Sequence, residues 1–126
     1  MLRTLTKIAL PVAAGALALG LAACSSAPAP AGAPEIPENA VILDVRTPAE
    51  YATGHLEGAK LLDLNAGEVA EAIPDLDPNA AYLIYCRSGN RAGQALTLME
   101  QAGFTSLTNL GSLERAADAT GVSIVR

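Results

Sequence analysis

The sequence contains no tryptophan, one phenylalanine and three tyrosines among its 126 residues. Any core must therefore be assembled from Leu, Ile, Val and many Ala side chains, each burying less area than an aromatic ring, and modest stability is expected. Only two cysteines occur, Cys24 and Cys86, and they form no Cys-x-x-Cys pair, which excludes thioredoxin-type exchange. No Gly-Lys-Ser/Thr loop is present, which excludes Walker-type nucleotide binding. Basic residues are scarce too: eight Lys and Arg face thirteen Asp and Glu, a net charge of −5. None forms an extended basic run, so no nucleic-acid partner is expected. Internal repeats are absent, and His55 is the single histidine.

The first 23 residues read as a segment that is removed. Arg3 and Lys7 make a positive start, and Ile8 to Ala22 is apolar or small except at Pro11, too short for a membrane span but suited to a secretory signal. Leu21-Ala22-Ala23-Cys24 resembles a bacterial lipobox, which implies cleavage before Cys24 and lipidation of its sulfur. Cys24 is thus the expected lipidation site, and the expected location is the cell envelope, on the periplasmic or extracellular side of a membrane. Residues 24–38, with the Pro-rich run SSAPAPAGAPEIPE after the cysteine, read as an extended linker with too little apolar surface to fold. Without Arg3 and Lys7, six basic residues remain against thirteen acidic ones, a net charge of −7.

Residues 39–126, 88 in all, suffice for one small core, and a monomer is expected. Val41-Ile42-Leu43-Asp44-Val45 predicts a strand buried on both faces. Thr47-Pro48-Ala49-Glu50 predicts a helix start, with a Thr cap, Pro at the first position and Glu closing a capping box, and Gly54 stops the helix. Ala59 to Leu62 predicts a second strand, and Glu68 to Ile73 a helix ended by Pro74. Ala81 to Tyr85 is an apolar strand leading into Cys86-Arg87-Ser88-Gly89-Asn90-Arg91. Ala92, Ala95, Leu96, Met99 and Ala102 then recur at helical spacing until Gly103. Phe104 to Leu110 predicts a strand, Ser112 to Ala119 a helix capped by Ser112, and the remainder a tail. Such alternation predicts an α/β fold with a small parallel sheet flanked by helices on both faces, and ligands at the carboxyl ends of the strands.

Cys86 stands at such an end. If Cys24 is lipidated, Cys86 is an odd thiol in an oxidising compartment. By count alone it reads equally as a small buried hydrophobe, a partner for an intermolecular disulfide or a functional group. Its neighbours favour function. Amides at a helix N-terminus lower a thiol pKa, as do nearby cations, and Arg87 and Arg91 are available. Ser88-Gly89-Asn90 can bend into a nest of inward N–H groups that accepts an anion. The plain alternative for the two arginines is a solvated edge and an ordinary helix start.

The motif ILDVRTPAEYATGHLEGA at residues 42 to 59, followed by YCRSGNRAGQAL and then AGFTSLTNLGS, resembles the single-domain rhodanese family of thiosulfate sulfurtransferases, over residues 39 to 118. The resemblance implies the rhodanese-like fold. It implies that Cys86 takes the outer sulfur of thiosulfate as a persulfide and hands it to a thiol or to cyanide, with no metal and no organic cofactor. Arg87, Ser88, Gly89, Asn90 and Arg91 are then the substrate-binding residues. Asp44, Arg46 and Glu50 correspond to a supporting ion-pair network, and His55 to a structural turn rather than a general base. Gly111-Ser112-Leu113 departs from the usual Gly-Gly, which leaves the far wall of the pocket open to question.

Two rivals follow from the same residues. A thiolate phosphatase or arsenate reductase needs Cys-x5-Arg to enclose a tetrahedral oxyanion, and here the arginine follows after four residues, making a smaller cradle. A persulfide carrier serving one partner, with little turnover of its own, is compatible with every motif named.

Overall fold

The structure, a computed structural model, describes residues 36–126 together with Gly15. The expected signal 1–23, Cys24 and the linker as far as residue 35 lie outside the described residues. Residues 36–39 are exposed and lead into the fold through a turn in which the Ala40 N–H donates to the Pro37 carbonyl at 3.0 Å. Among the described residues no helix is long and apolar enough to cross a membrane.

The elements run β1 (Val41–Asp44), α1 (Pro48–Thr53), β2 (His55–Leu56), β3 (Lys60–Leu61), α2 (Glu68–Ala72), a 3₁₀ turn (Ile73–Asp75), β4 (Ala81–Cys86), α3 (Asn90–Gln101), β5 (Ser106–Ser112), α4 (Leu113–Thr120) and β6 (Ile124–Val125). Four strands form one parallel sheet in the order β3-β1-β4-β5, so the two most apolar strands lie in its centre. Alternation along the strands divides the core in two. Leu43 and Val45 with Tyr82, Ile84 and Cys86 face α2 and α3, where Val69, Ala92, Ala95 and Met99 close the layer. Leu83 and Tyr85 face the other way, toward Leu56, Leu110 and Ala116. Helices therefore cover both faces, as the sequence predicts.

Several boundaries follow from local chemistry. The capping box of α1 forms in full, with the Glu50 N–H donating to Thr47 Oγ1 at 3.2 Å and the Thr47 N–H to Glu50 Oε2 at 3.0 Å. The Ser112 hydroxyl caps α4 by accepting from the Arg115 N–H. β5 begins two residues later than the apolar run suggests, because Phe104 is used by the end of α3. The Gly103 N–H donates to the Glu100 carbonyl and the Phe104 N–H to the Met99 carbonyl, a Schellman closure that left-handed Gly103 permits. Ala102, expected in the core stripe, is exposed at that helix end. The expected tail instead forms β6, which pairs antiparallel with β2 as a separate two-stranded ribbon.

Beside the site, β5 bulges. Ile84 pairs with Asn109 but Tyr85 pairs with Gly111, so Leu110 is an extra residue that turns into the core. The bulge brings Asn109 and Gly111 against the loop that follows β4.

Candidate active site

Cys86 is the last residue of β4, fully buried and without a disulfide partner among the described residues. The chain then turns through Arg87 and Ser88 into left-handed Gly89, the N-cap of α3 (φ 97°), which carries no side-chain cap. That turn directs amides at the sulfur instead. The Gly89 N–H lies 2.9 Å from Cys86 Sγ. Burial pushes the Cys86 thiol up, but the amides of Ala92, Ser88, Gly89 and Arg91 outweigh it and hold the thiol below its ordinary value. Glycine is required at 89, since a side chain there would be strained and its Cβ would come within 3.3 Å of Gly111 Cα.

The candidate residues separate into groups. Ser88, Gly89 and Arg91 give backbone amides to the sulfur. The Asn90 side chain points along α3, where its Oδ1 accepts from Gln94 Nε2 at 3.1 Å. Arg87 is exposed and makes no ion pair among the described residues. Arg91 differs, because its guanidinium is held by both Glu50 oxygens at 2.8 and 2.9 Å. That hydrogen-bonded pair, opposed by partial burial and aided by Thr47, lowers the Glu50 pKa to about 2.

The single ion-pair network expected of Asp44, Arg46 and Glu50 is therefore two. Glu50 belongs with Arg91. Asp44 and Arg46 form their own buried pair, with Arg46 Nη2 at 2.7 Å from Asp44 Oδ2 and from the Gly54 carbonyl. Tyr85 completes this cluster by donating its hydroxyl to Asp44 Oδ2 at 2.8 Å and accepting from the Leu56 N–H at 3.0 Å. Among the described residues no fully buried side-chain nitrogen or oxygen lacks a partner, and this cluster ties β1, β2, β4 and the end of α1 together.

His55 stacks on Tyr51, with centroids 3.6 Å apart, and its Nδ1 lies 2.9 Å from the Tyr51 carbonyl, which agrees with a structural turn. Sequence reasoning missed Asn109. Its Nδ2 donates to the Gly89 carbonyl at 2.9 Å while its Oδ1 accepts from the Gly111 N–H at 2.9 Å, so β5 clamps the peptide plane next to the thiol. Only the Asn-Leu-Gly step at the end of an apolar run hinted at it. No cluster of three or more His, Cys, Asp or Glu suited to a metal ion occurs among the described residues.

A cavity of about 510 Å³ abuts the loop at the carboxyl ends of the strands, with Arg46, Glu50 and Arg87 among its walls. A buried thiol in an amide nest, at the carboxyl end of a parallel strand and beside a cavity that Arg46, Arg87 and Glu50 help to line, marks the chain as an α/β protein with a cysteine-centred site. The Rhodanese-like domain family matches residues 32–116, and the chain belongs to that family. It is 34% identical to thiosulfate sulfurtransferase PspE of Escherichia coli over 77 residues, covering 60% of this chain and 72% of that protein. It is 32% identical to thiosulfate sulfurtransferase GlpE of Pseudomonas aeruginosa over 83 residues, covering 65% and 74%. Among solved structures, a rhodanese with anions from E. coli superposes with a TM-score of 0.60 at 30% identity, covering 69% of this chain and 98% of that one.

Proposed function

We propose that the protein is a thiosulfate-type sulfurtransferase that moves sulfane sulfur through a persulfide on Cys86. Relatives named thiosulfate sulfurtransferase support sulfur transfer as the activity. The observation that carries the reading is the ring of backbone amides around Cys86 Sγ, closest at 2.9 Å from the Gly89 N–H. These amides stabilise the attacking thiolate and then the anionic persulfide, without side-chain reorganisation.

In the first displacement the Cys86 thiolate attacks the outer sulfur of thiosulfate. A bond forms between the two sulfurs, the S–S bond of thiosulfate breaks, and sulfite departs with its electron pair. In the second, a thiolate or cyanide attacks the outer persulfide sulfur and Cys86 leaves as thiolate. Two displacements divide one transfer, as in other covalent catalysis. Arg87 supplies the mobile positive charge, whereas Arg91, neutralised by Glu50, acts chiefly through its amide and by fixing the helix start.

The burial of Cys86 favours a second reading, a persulfide carrier that shelters its sulfur until a dedicated partner arrives. Adding thiosulfate to the full chain and weighing it intact tests both. A gain of one sulfur atom, reversed by dithiothreitol and absent in Cys86→Ala, is expected, together with thiocyanate formation from cyanide. Loading without thiocyanate turnover would select the carrier, and no loading would defeat both readings. We further propose that lipid on Cys24 anchors the domain in the cell envelope.

A further inference from the structure

Gly89 begins α3 without the side chain that usually fixes a helix start. Its backbone is left-handed (φ 97°, ψ −10°), and glycine offers little resistance to rotation of the Gly89–Asn90 peptide. The restraint comes from β5. Asn109 Nδ2 donates to the Gly89 carbonyl at 2.9 Å, and Asn109 Oδ1 accepts from the Gly111 N–H at 2.9 Å. Both bonds require the same orientation of the side-chain amide, since a carbonyl must meet Nδ2 and an N–H must meet Oδ1. The bulge supplies the geometry. Leu110 turns into the core, which leaves Asn109 and Gly111 against the loop, with Gly111 Cα 3.3 Å and Asn109 Oδ1 3.5 Å from where a Cβ on Gly89 would stand.

The Gly89 carbonyl also accepts from the Gly93 N–H at 2.9 Å, so two donors fix the direction of one oxygen. No peptide bond among the described residues is cis, and in a trans peptide the N–H lies in the plane of the carbonyl and points the opposite way. The Asn90 N–H is therefore directed out of the helix start, on the side where the amides of Arg91 and Ala92 meet Cys86 Sγ. Ser88, Gly89, Arg91 and Ala92 all turn their amides to that sulfur. The Asn90 N–H, held beside them, has no acceptor among the described residues.

We propose that Asn109 is a positioning residue for sulfur transfer, and that by fixing the Gly89 carbonyl from β5 it aims the Asn90 N–H at the outer sulfur of the Cys86 persulfide. This rests on the sulfurtransferase reading for the persulfide, but not for the restraint on the loop. The outer sulfur bears the negative charge of a persulfide, and an amide already aimed at it stabilises that charge without reorganising. Asn109 is neutral and touches no reacting atom, so it works only through the peptide it holds.

Two uncharged replacements separate this role from one in folding. Asn109→Ser leaves a hydroxyl that can still accept from the Gly111 N–H but stops one bond short of the Gly89 carbonyl, and Asn109→Leu keeps the bulk and loses both bonds. With the full chain and saturating thiosulfate, both are expected to load Cys86 about tenfold more slowly than wild type, at a pH where alkylation shows the thiol fully ionised. In isotope-labelled wild type, loading is expected to move the Asn90 amide proton downfield as it bonds the outer sulfur, and Asn109→Ser to remove most of that shift. Loading of Asn109→Ser as fast as wild type, whatever its thermal midpoint, overturns the proposal, as does an Asn90 resonance that does not respond when wild type is loaded. If thiosulfate fails to load wild type, the sulfurtransferase reading falls, and alkylation of Cys86 judges the restraint by itself: an unchanged pH of half-maximal rate in Asn109→Ser overturns it.

Discussion

Gly89 carries two demands at once, a left-handed turn and a close approach to Gly111, and its amide is the nearest donor to the thiol. Gly89→Ala is expected to cost about 1–3 kcal/mol through backbone strain and crowding. It should also displace the N–H from Cys86 and slow sulfur loading more than the loss of stability explains, which denaturant midpoints and intact-mass time courses together will separate. The thiol itself gives a pH prediction. Because the amides hold the Cys86 pKa below its ordinary value, its alkylation rate in the folded chain should reach half-maximum at a lower pH than in the same chain unfolded in urea. The same group makes folding more favourable above the unfolded pKa, and this contribution disappears as pH falls through the folded one. Asn109→Ala should move that half-maximum upward by freeing the Gly89 peptide. An unchanged pH profile, with only a lower melting point, would show Asn109 to be structural alone.

At the scale of elements, the first turn of α1 does more than begin a helix. Glu50 closes the capping box with Thr47 and clasps Arg91 at the start of α3, so one carboxylate joins two helix N-termini that flank the thiol. Its pKa of about 2 means that the stabilisation is present above about pH 4.5 and is lost as pH falls toward 2. The side chains are 20% and 26% exposed, so screening reduces the benefit, and Glu50→Gln is expected to cost about 1–2 kcal/mol at pH 7 and little at pH 2. Urea unfolding at both pH values checks the sign. A second joint is Tyr85, where replacement by Phe leaves the Leu56 N–H without its acceptor and removes a donor from buried Asp44. A loss of about 1–3 kcal/mol is expected from denaturant unfolding. The capping box, the Ser112 cap, the buried strands and the thiol at a strand end were all legible, because each is written in neighbouring residues. The partners of Glu50, Tyr85 and Asn109 were not, since each bond spans twenty or more positions and depends on strand order and on a bulge. β6 escaped for a similar reason: two residues have no periodicity, and only pairing with β2 makes them a strand.

The whole molecule sets the remaining prediction, where the domain stands and what holds it there. Residues 36–126 supply no apolar helix able to cross a membrane, and the part of the chain after residue 23 carries a charge of −7, which an anionic lipid surface repels. The proposed anchorage is assigned to lipid at Cys24. One acyl chain holds only marginally, and stable anchorage requires at least two. Cys24→Ala is accordingly expected to move the protein from the membrane fraction to the soluble one while sulfur loading of Cys86, measured on the released protein, stays the same. High-salt washing of wild-type membranes should not release it, because hydrophobic insertion, unlike charge attraction, is not screened by salt. If the variant fractionates with membranes as before, or if salt alone strips the wild type, the anchor is not the lipid on Cys24.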